Sequence, residues 1–401
     1  MARAPAARPE AIRRHNLGLL LEQVHRDGEL TRAELTQRLG LNRSTIGALV
    51  SELISLGLIN EHVPSGNERA GRPSHVVSPR LDGPFAFAVD IEVDRLVSAA
   101  VGLGGHVIAR REARIQPGRD SADQVAIQIA EQLDPLREQV ASCSWPVGVG
   151  VSIPGTVRRA DGWIDFAPNL GWRHRPLARM LTELVPSELS VHLGNDADLG
   201  ALAEHVRGAA RDCHDVVYIT GKVGVGSGII ADSVPLRGHA GLAGELGHMM
   251  LDSSGPPCHC GSQGCVETYI GEAALLRLAH RDASPSRESV AEVIAAARAG
   301  ERDALDGVRA VAVSLGRAAA NLVNLLNPEA VIMGGSLADV LELCRADVEE
   351  ELHRRAMSEA RWLVELRTAN LGDDSSLLGA AELAFGPLLS DPVGSGLARS
   401  A

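Results

Sequence analysis

Apolar residues recur at helical spacing near the start of the chain, where Leu17, Leu20, Leu21 and Val24 predict a helix over residues 10–27 that ends at Gly28. A second helix follows. Thr31-Arg-Ala-Glu34 has the form of a capping box, in which Thr31 accepts from a free backbone N–H and Glu34 reaches back. Leu35 and Leu39 give this helix an apolar side, and Gly40 stops it. With Asn42 as N-cap, Ile46, Leu49, Val50, Leu53 and Ile54 mark the inner face of a third helix. Its other face holds small and polar residues: Arg43, Ser44, Thr45, Gly47, Ala48 and Ser51. The stretch "LINEHVPSGNERAGRPSHVVSP" continues as strand, Gly-rich loop and strand, a wing with Arg69 and Arg72 at its tip.

From Phe85 the pattern changes. "FAFAVDIEVDRLVSAAVGLGGHVIARREARI" predicts successive antiparallel strands with turns near Asp94 and Gly104-Gly105, followed by a helix over residues 121–141 and a buried strand, "VGVGVSI". A second strand group opens at "DVVYITGKVGVGSGIIADSVPLRG" and leads through helices to another strand, "AVIMGG". Strand groups followed by helices, occurring twice, predict two related α/β lobes with a cleft between them, although no residue-level repeat is detectable. The expected divisions are 1–82, 83–196 completed by a C-terminal helix at 376–390, and 197–375.

Composition narrows the function classes. A chain of 401 residues implies more than one domain. It has no unbroken apolar run of about 18 residues, and its start, "MARAPAARPEAIRRHN", lacks the apolar stretch of a secretory signal. The expectation is a cytoplasmic protein without membrane insertion. Residues 1–80 carry 11 Arg against 8 Asp and Glu, net +3, while the remainder carries 28 basic and 43 acidic residues, net −15. A helical pair with a small, polar outer face could dock a partner protein or enter a DNA major groove. The wing, its arginines and the local positive charge favour double-stranded DNA, since a narrow minor groove attracts arginine.

The stretch Cys258-His-Cys-Gly-Ser-Gln-Gly-Cys265 gathers half of the chain's six cysteines. Cys143, Cys213 and Cys344 are scattered, a poor disulfide framework. Cys258, Cys260 and Cys265, with His248 ten residues before the first of them, suit a closed tetrahedral structural zinc site, one Zn2+ per chain. Buried thiols and a redox motif are the alternatives. His259 is a second possible imidazole donor, disfavoured by ligands on both sides.

The segment "AGLAGELGHMMLDSSGPPCHCGSQGCVETYIG" resembles the signature of the ROK family, which groups bacterial sugar-responsive repressors (xylose, N-acetylglucosamine, glucose) with sugar kinases. The resemblance extends from the winged helix to the C-terminal helices. It implies an α/β body of two-lobed, actin-like ATPase (ribonuclease H-like) fold behind a winged helix-turn-helix, and a homodimer or homotetramer. It also implies that a sugar touches Asn169, Asn195, Asp196, Glu245, His248 and Glu267. Taken singly, Asn169 reads as a turn residue, Asn195 or Asp196 as a helix cap, and the glutamates as solvated charges. In the family's kinases Asp196 would be the general base. Those kinases hold phosphate with Asp-x-Gly-Gly-Thr; here Asp90-Ile-Glu-Val-Asp94 fills both glycine positions, and Glu92 is expected to repel ATP. The expectation is therefore a sugar-responsive regulator, with a sugar kinase fused to a DNA-binding domain as the alternative.

Overall fold

A computed structural model describes residues 9–63, 75–143, 145–158, 160–282 and 284–395. The N-terminal unit comprises α1 (Pro9–Asp27), β1 (Leu30–Thr31), α2 (Arg32–Leu39), α3 (Arg43–Ser55), β2 (Ile59–His62) and β3 (Val76–Pro79). The strands pair antiparallel in the order β1-β3-β2, and Leu17, Leu20, Leu21, Val24, Leu35, Ile46, Leu49, Val50 and Leu53 are buried together. Thr31 and Glu34 close the capping box, Gly40 ends α2 in the left-handed region, and Asn42 Oδ1 caps α3 by accepting from Thr45 N–H at 2.8 Å. Ile54 departs from the expected pattern. It is 38% exposed, standing at the edge of the helical face that buries Val50 and Leu53.

The first lobe runs through β4 (Phe85–Ile91), β5 (Arg95–Gly102), β6 (Val107–Arg114), α4 (Ala122–Gln139), β7 (Pro146–Ile153), β8 (Thr156–Arg158), β9 (Trp163–Ala167), β10 (Trp172–Arg175), α5 (Leu177–Leu184) and β11 (Val191–Asn195), and α6 (Asp196–Arg207) packs on both lobes. The second comprises β12 (Val216–Gly221), β13 (Val225–Ala231), β14 (Val234–Pro235), α7 (Glu267–Ile270), α8 (Glu272–Leu278), α9 (Arg287–Arg298), α10 (Arg302–Leu326), β15 (Ala330–Gly335), α11 (Ser336–Arg355) and β16 (Glu365–Thr368). The chain then returns to the first lobe as α12 (Ser375–Ser390). The main sheets have the orders β11-β7-β4-β5-β6 and β14-β13-β12-β15-β16. Counted within each lobe both read 3-2-1-4-5, with antiparallel pairing on one side of the first strand and parallel on the other. The duplication that is invisible residue by residue is therefore plain in topology, and the body has the actin-like ATPase fold.

Alternation along the central strands explains how the helices are seated. Phe85, Phe87, Val89 and Ile91 of β4 point into the core shared with α4, whereas Ala86 and Ala88 face α12. In β7 Val149, Val151 and Ile153 face α4, Gly150 faces the other way, and Val147, at the register irregularity with β4, joins the core on the α12 side. A Cβ on Gly150 would lie 1.8 Å from the Ala380 carbonyl oxygen, so glycine is what lets α12 lie directly on the strand. The same cluster that holds α12 contains the core of the N-terminal unit. Gly83 turns the chain from β3 into β4, and apolar packing continues across that boundary.

Candidate functional site

The loop between β14 and α7 builds a compact donor cluster. Bridges from Met250 to Cys265 and from Pro257 to Gln263 fold it back on itself, with Cys258 N–H donating to the Ser262 carbonyl at 2.8 Å. Gly264 has φ +68°, and a Cβ there would meet the Asp252 carbonyl oxygen at 1.6 Å, so only glycine closes this turn. The result brings His248, Cys258, Cys260 and Cys265 together, with one donor atom of each within 4.8 Å of all the others. Cys260 Sγ lies 3.7 Å from Cys265 Sγ, and His248 Nδ1 lies 3.8 Å from Cys258 Sγ. A tetrahedral ion with metal–sulfur bonds of about 2.3 Å requires donor separations of about 3.8 Å, so the cluster can hold a metal and is consistent with zinc. Burial pushes the Cys258 thiol up to about 12 and also raises Cys265. The thiolates of Cys258 and Cys265 are therefore disfavoured without a cation, whereas the Ser262 backbone hydrogen bond lowers Cys260 toward its thiolate.

His259 borders that cluster, its Nδ1 2.9 Å from Glu267 Oε1, and with Cys258 the two form a second group whose donor atoms lie within 4.8 Å of one another. Glu267 Oε2 accepts from Val225 N–H at 3.1 Å, so both of its oxygens are fixed at one wall of the interlobe cleft. The cleft has a volume of about 1310 Å³ and receives Asn169, Asn195, Asp196, Glu245, His248 and Glu267, all six residues expected at a ligand site. Asn169 lies on the short 3-10 turn that follows β9. Gly224 leaves room beside it: a Cβ there would sit 2.8 Å from Glu267 Oε2 and 3.7 Å from Asn169 Nδ2.

Asn195 is the cap of α6. Its Oδ1 accepts from Ala197 and Asp198 N–H at 2.9 and 3.2 Å, while Nδ2 donates to the Gly155 carbonyl at 3.1 Å. One amide hydrogen is left for a ligand. Desolvation raises the carboxyls of Asp196 and Glu245 above the ordinary range, Asp196 despite the nearby Lys222 ammonium and Glu245 despite His248.

At the far end of the cleft Lys222 is the single lysine of a chain whose 38 other cationic side chains are all arginine. Its Nζ stands 3.9 Å from both Asp90 Oδ2 and Glu92 Oε1, reaching from the second lobe to the first. Burial lifts Asp90 to about 6 against the pull of Lys222, and its Oδ1 finds no hydrogen-bond partner among the described residues. Glu92 is not the bare charge expected from sequence. Arg95 holds it through two hydrogen bonds of 2.9 Å, and Arg287 approaches to 3.5 Å. What stands where the glycines would be is a filled ion cluster. Sequence reasoning passed over Lys222, for which the lone lysine among arginines was the available signal, and weighed His259 only as a metal donor.

In the N-terminal unit α3 presents Arg43, Ser44, Ala48 and Ser51 to solvent. Thr45 and Gly47 are half-buried, Gly47 lying under Arg32. Arg43 forms no ion pair with any described residue, whereas Arg32 is tied to Glu61 of the wing strand. Arg69 and Arg72 lie outside the described residues.

A winged helix-turn-helix fused to an actin-like body with a Cys/His seat at its cleft defines a class of protein. The chain belongs to the ROK family, whose profile matches residues 86–386, and a winged helix-turn-helix DNA-binding family matches residues 13–60. The chain is 28% identical over 393 residues to the xylose repressor of Caldicellulosiruptor bescii, an alignment covering 95% of this chain and 98% of that one. The crystal structure of a ROK family transcriptional regulator, a homologue of the E. coli MLC protein, matches with TM-score 0.78 and 25% identity over 97% of this chain and 98% of the other. A ROK family glucokinase from Streptomyces griseus, solved with glucose and AMPPNP, matches with TM-score 0.64 and 30% identity, covering 75% of this chain and 99% of that one. Among the described residues no helix is long and apolar enough to cross a membrane.

Proposed function

We propose that this protein is a sugar-responsive DNA-binding repressor that binds a sugar or sugar derivative between its lobes, beside a structural zinc. The observation that carries the reading is the unbroken similarity to a xylose repressor over 95% of the chain, winged domain included. The cleft chemistry supports it. Carboxylates of Asp196, Glu245 and Glu267 accept paired sugar hydroxyls, and the amides of Asn169 and Asn195 supply donors. His248 would ligate zinc through Nδ1 and leave Nε2 for a hydroxyl, so metal and ligand share an anchor. Zinc held by His248, Cys258, Cys260 and Cys265 would fix the wall against which the sugar rests.

Arg43, Ser44, Thr45, Gly47, Ala48 and Ser51 would meet the major groove of double-stranded DNA, with Arg69 and Arg72 as the minor-groove pair. Two such heads in a homodimer or homotetramer would read paired half-sites. Phosphoryl transfer is disfavoured by the Asp90, Glu92 and Lys222 cluster, in which paired side chains stand where bare glycine backbone would approach phosphate. The kinase reading retains one supporting feature, the raised carboxyl of Asp196 at the general-base position.

The test is fluorescence anisotropy on duplex DNA selected from a random library, titrated with D-xylose, D-glucose and N-acetyl-D-glucosamine, with a coupled ATPase assay in parallel. One of these sugars is expected to change DNA affinity by about 5- to 150-fold. Indifference to all of them, or sugar-dependent ATP turnover, overturns the reading.

A further inference from the structure

Helix α6 touches every party that a sugar signal must engage. Its first residues, Asn195 as cap and Asp196, line the cleft. Its first turn packs on the second lobe so closely that a Cβ on Gly228 would fall 2.5 Å from the Ala197 carbonyl oxygen. Along its length it is locked to α12, where a Cβ on Gly379 would lie 1.9 Å from the Leu199 carbonyl oxygen. Glu204, fully buried, accepts from Asn370 and Leu371 N–H at 3.1 and 2.9 Å and from Ser375 Oγ at 2.9 Å. It thereby ties α6 to the segment by which the chain recrosses between lobes.

The last residue of α6 is Arg207, about 18 Å from the cleft end at 1.5 Å per residue. Its guanidinium bonds Glu382 Oε1 of α12 through Nε at 2.6 Å, and through Nη1 donates to the Gly104 carbonyl at 2.7 Å and the His25 carbonyl at 3.0 Å. His25 belongs to α1 of the winged domain. Its ring completes the junction: Gly104 N–H donates to Nδ1 at 3.0 Å, and Nε2 lies 2.9 Å from Glu382 Oε2 and 2.5 Å from Arg207 Nη2. The side chains of His25, Glu382 and Arg207 are only 1%, 5% and 10% exposed. Gly105, at φ +82°, makes space for them, since a Cβ there would lie 2.3 Å from Arg207 Nε.

Apolar packing between α1 and the body would tolerate sliding. A buried cluster in which one guanidinium satisfies a carboxylate and two carbonyls from three different segments holds one register. We infer that α6 and α12 move as a paired rod between cleft and DNA-binding unit, and that Arg207 is the positioning residue that converts cleft closure into reorientation of α1. This rests on the proposed sugar response. Because α6 packs on both lobes, closure around a sugar must displace it relative to one of them, and Arg207 carries that displacement to the His25 carbonyl.

The test compares wild type, Arg207→Met and Arg207→Lys by anisotropy with the selected duplex and the same sugars. In Arg207→Met the affinity for sugar alone and for DNA alone should each stay within about threefold, while the sugar-induced change in DNA affinity shrinks to about twofold or less; Arg207→Lys should recover part of it. Full retention of the sugar effect in Arg207→Met overturns this inference and leaves the repressor reading intact, whereas a wild type indifferent to every sugar overturns both. If the variants do not fold, hydrogen exchange on the wild type decides. Sugar should alter exchange in the last turn of α1, around Val24 to Asp27, and a response confined to the cleft overturns the proposal.

Discussion

Replacing Lys222 with methionine removes the only ammonium that faces the buried Asp90 and Glu92 across the cleft. At 3.9 Å each attraction is worth about 4 kcal/mol at an effective dielectric constant near 20. The full loss is not expected, because both carboxylates have other recourse. Glu92 keeps Arg95 and Arg287. Asp90, already lifted to about 6 by burial, can take up a proton.

That recourse gives the variant a pH signature. In the wild type the penalty for ionising Asp90 in the folded state accumulates between its ordinary value of 3.8 and about 6, then levels off. Without Lys222 the folded-state value rises further, so the penalty keeps growing above pH 6 by up to about 1.4 kcal/mol per pH unit. Asp196 and Glu272, which also lie near Lys222, move in the same direction. Lys222→Met should therefore melt close to the wild type at pH 6 and well below it at pH 8, by about 5 °C for a deficit of about 2.7 kcal/mol at roughly 2 °C per kcal/mol. Differential scanning fluorimetry at both pH values measures this. A gap in Tm that is the same at pH 6 and pH 8 refutes the argument that Lys222 serves as the counter-charge of Asp90.

Cys260→Ser should abolish stoichiometric zinc in elemental analysis of the purified protein and lower its melting temperature, because the cluster then has three strong donors around a tetrahedral ion; full zinc content in the variant would contradict the assignment. Glu382 is held at about 2, since burial raises its carboxyl but His25 and Arg207 outweigh it. Being depressed below 4.5, it stabilises the fold above that pH by about 3 kcal/mol, a contribution lost as pH falls from 4.5 toward 2. Urea titrations of wild type and Glu382→Gln across that window should therefore converge on acidification; a constant difference would show that Glu382 is not ionised in the folded protein.

Much of the site was legible from local chemistry. The knuckle from Cys258 to Cys265 and the capping residues Thr31, Asn42 and Asn195 act over a few residues, and such short-range requirements leave their mark on neighbouring letters. Ile54 was misjudged because the edge of a helical face depends on where the core ends, not on spacing alone. Glu92 read as a negative charge without partners: Arg95, three residues on, was overlooked, and Arg287 and Lys222 are more than 100 residues away in the chain.

By itself the sequence determined the winged head and a Cys/His cluster able to hold a metal, since each follows from periodicity or from chemistry within one segment, whereas the polar residues of the cleft were implied by the resemblance to the ROK family. Only tertiary structure decided that two sheets share a topology without sharing residues, that His259 serves Glu267, and that Lys222 crosses between lobes. It alone also joined His25, Gly104, Arg207 and Glu382 at one buried junction. The physical reason is that a buried charge must find its partner wherever the chain brings one, and sequence separation places no constraint on that meeting.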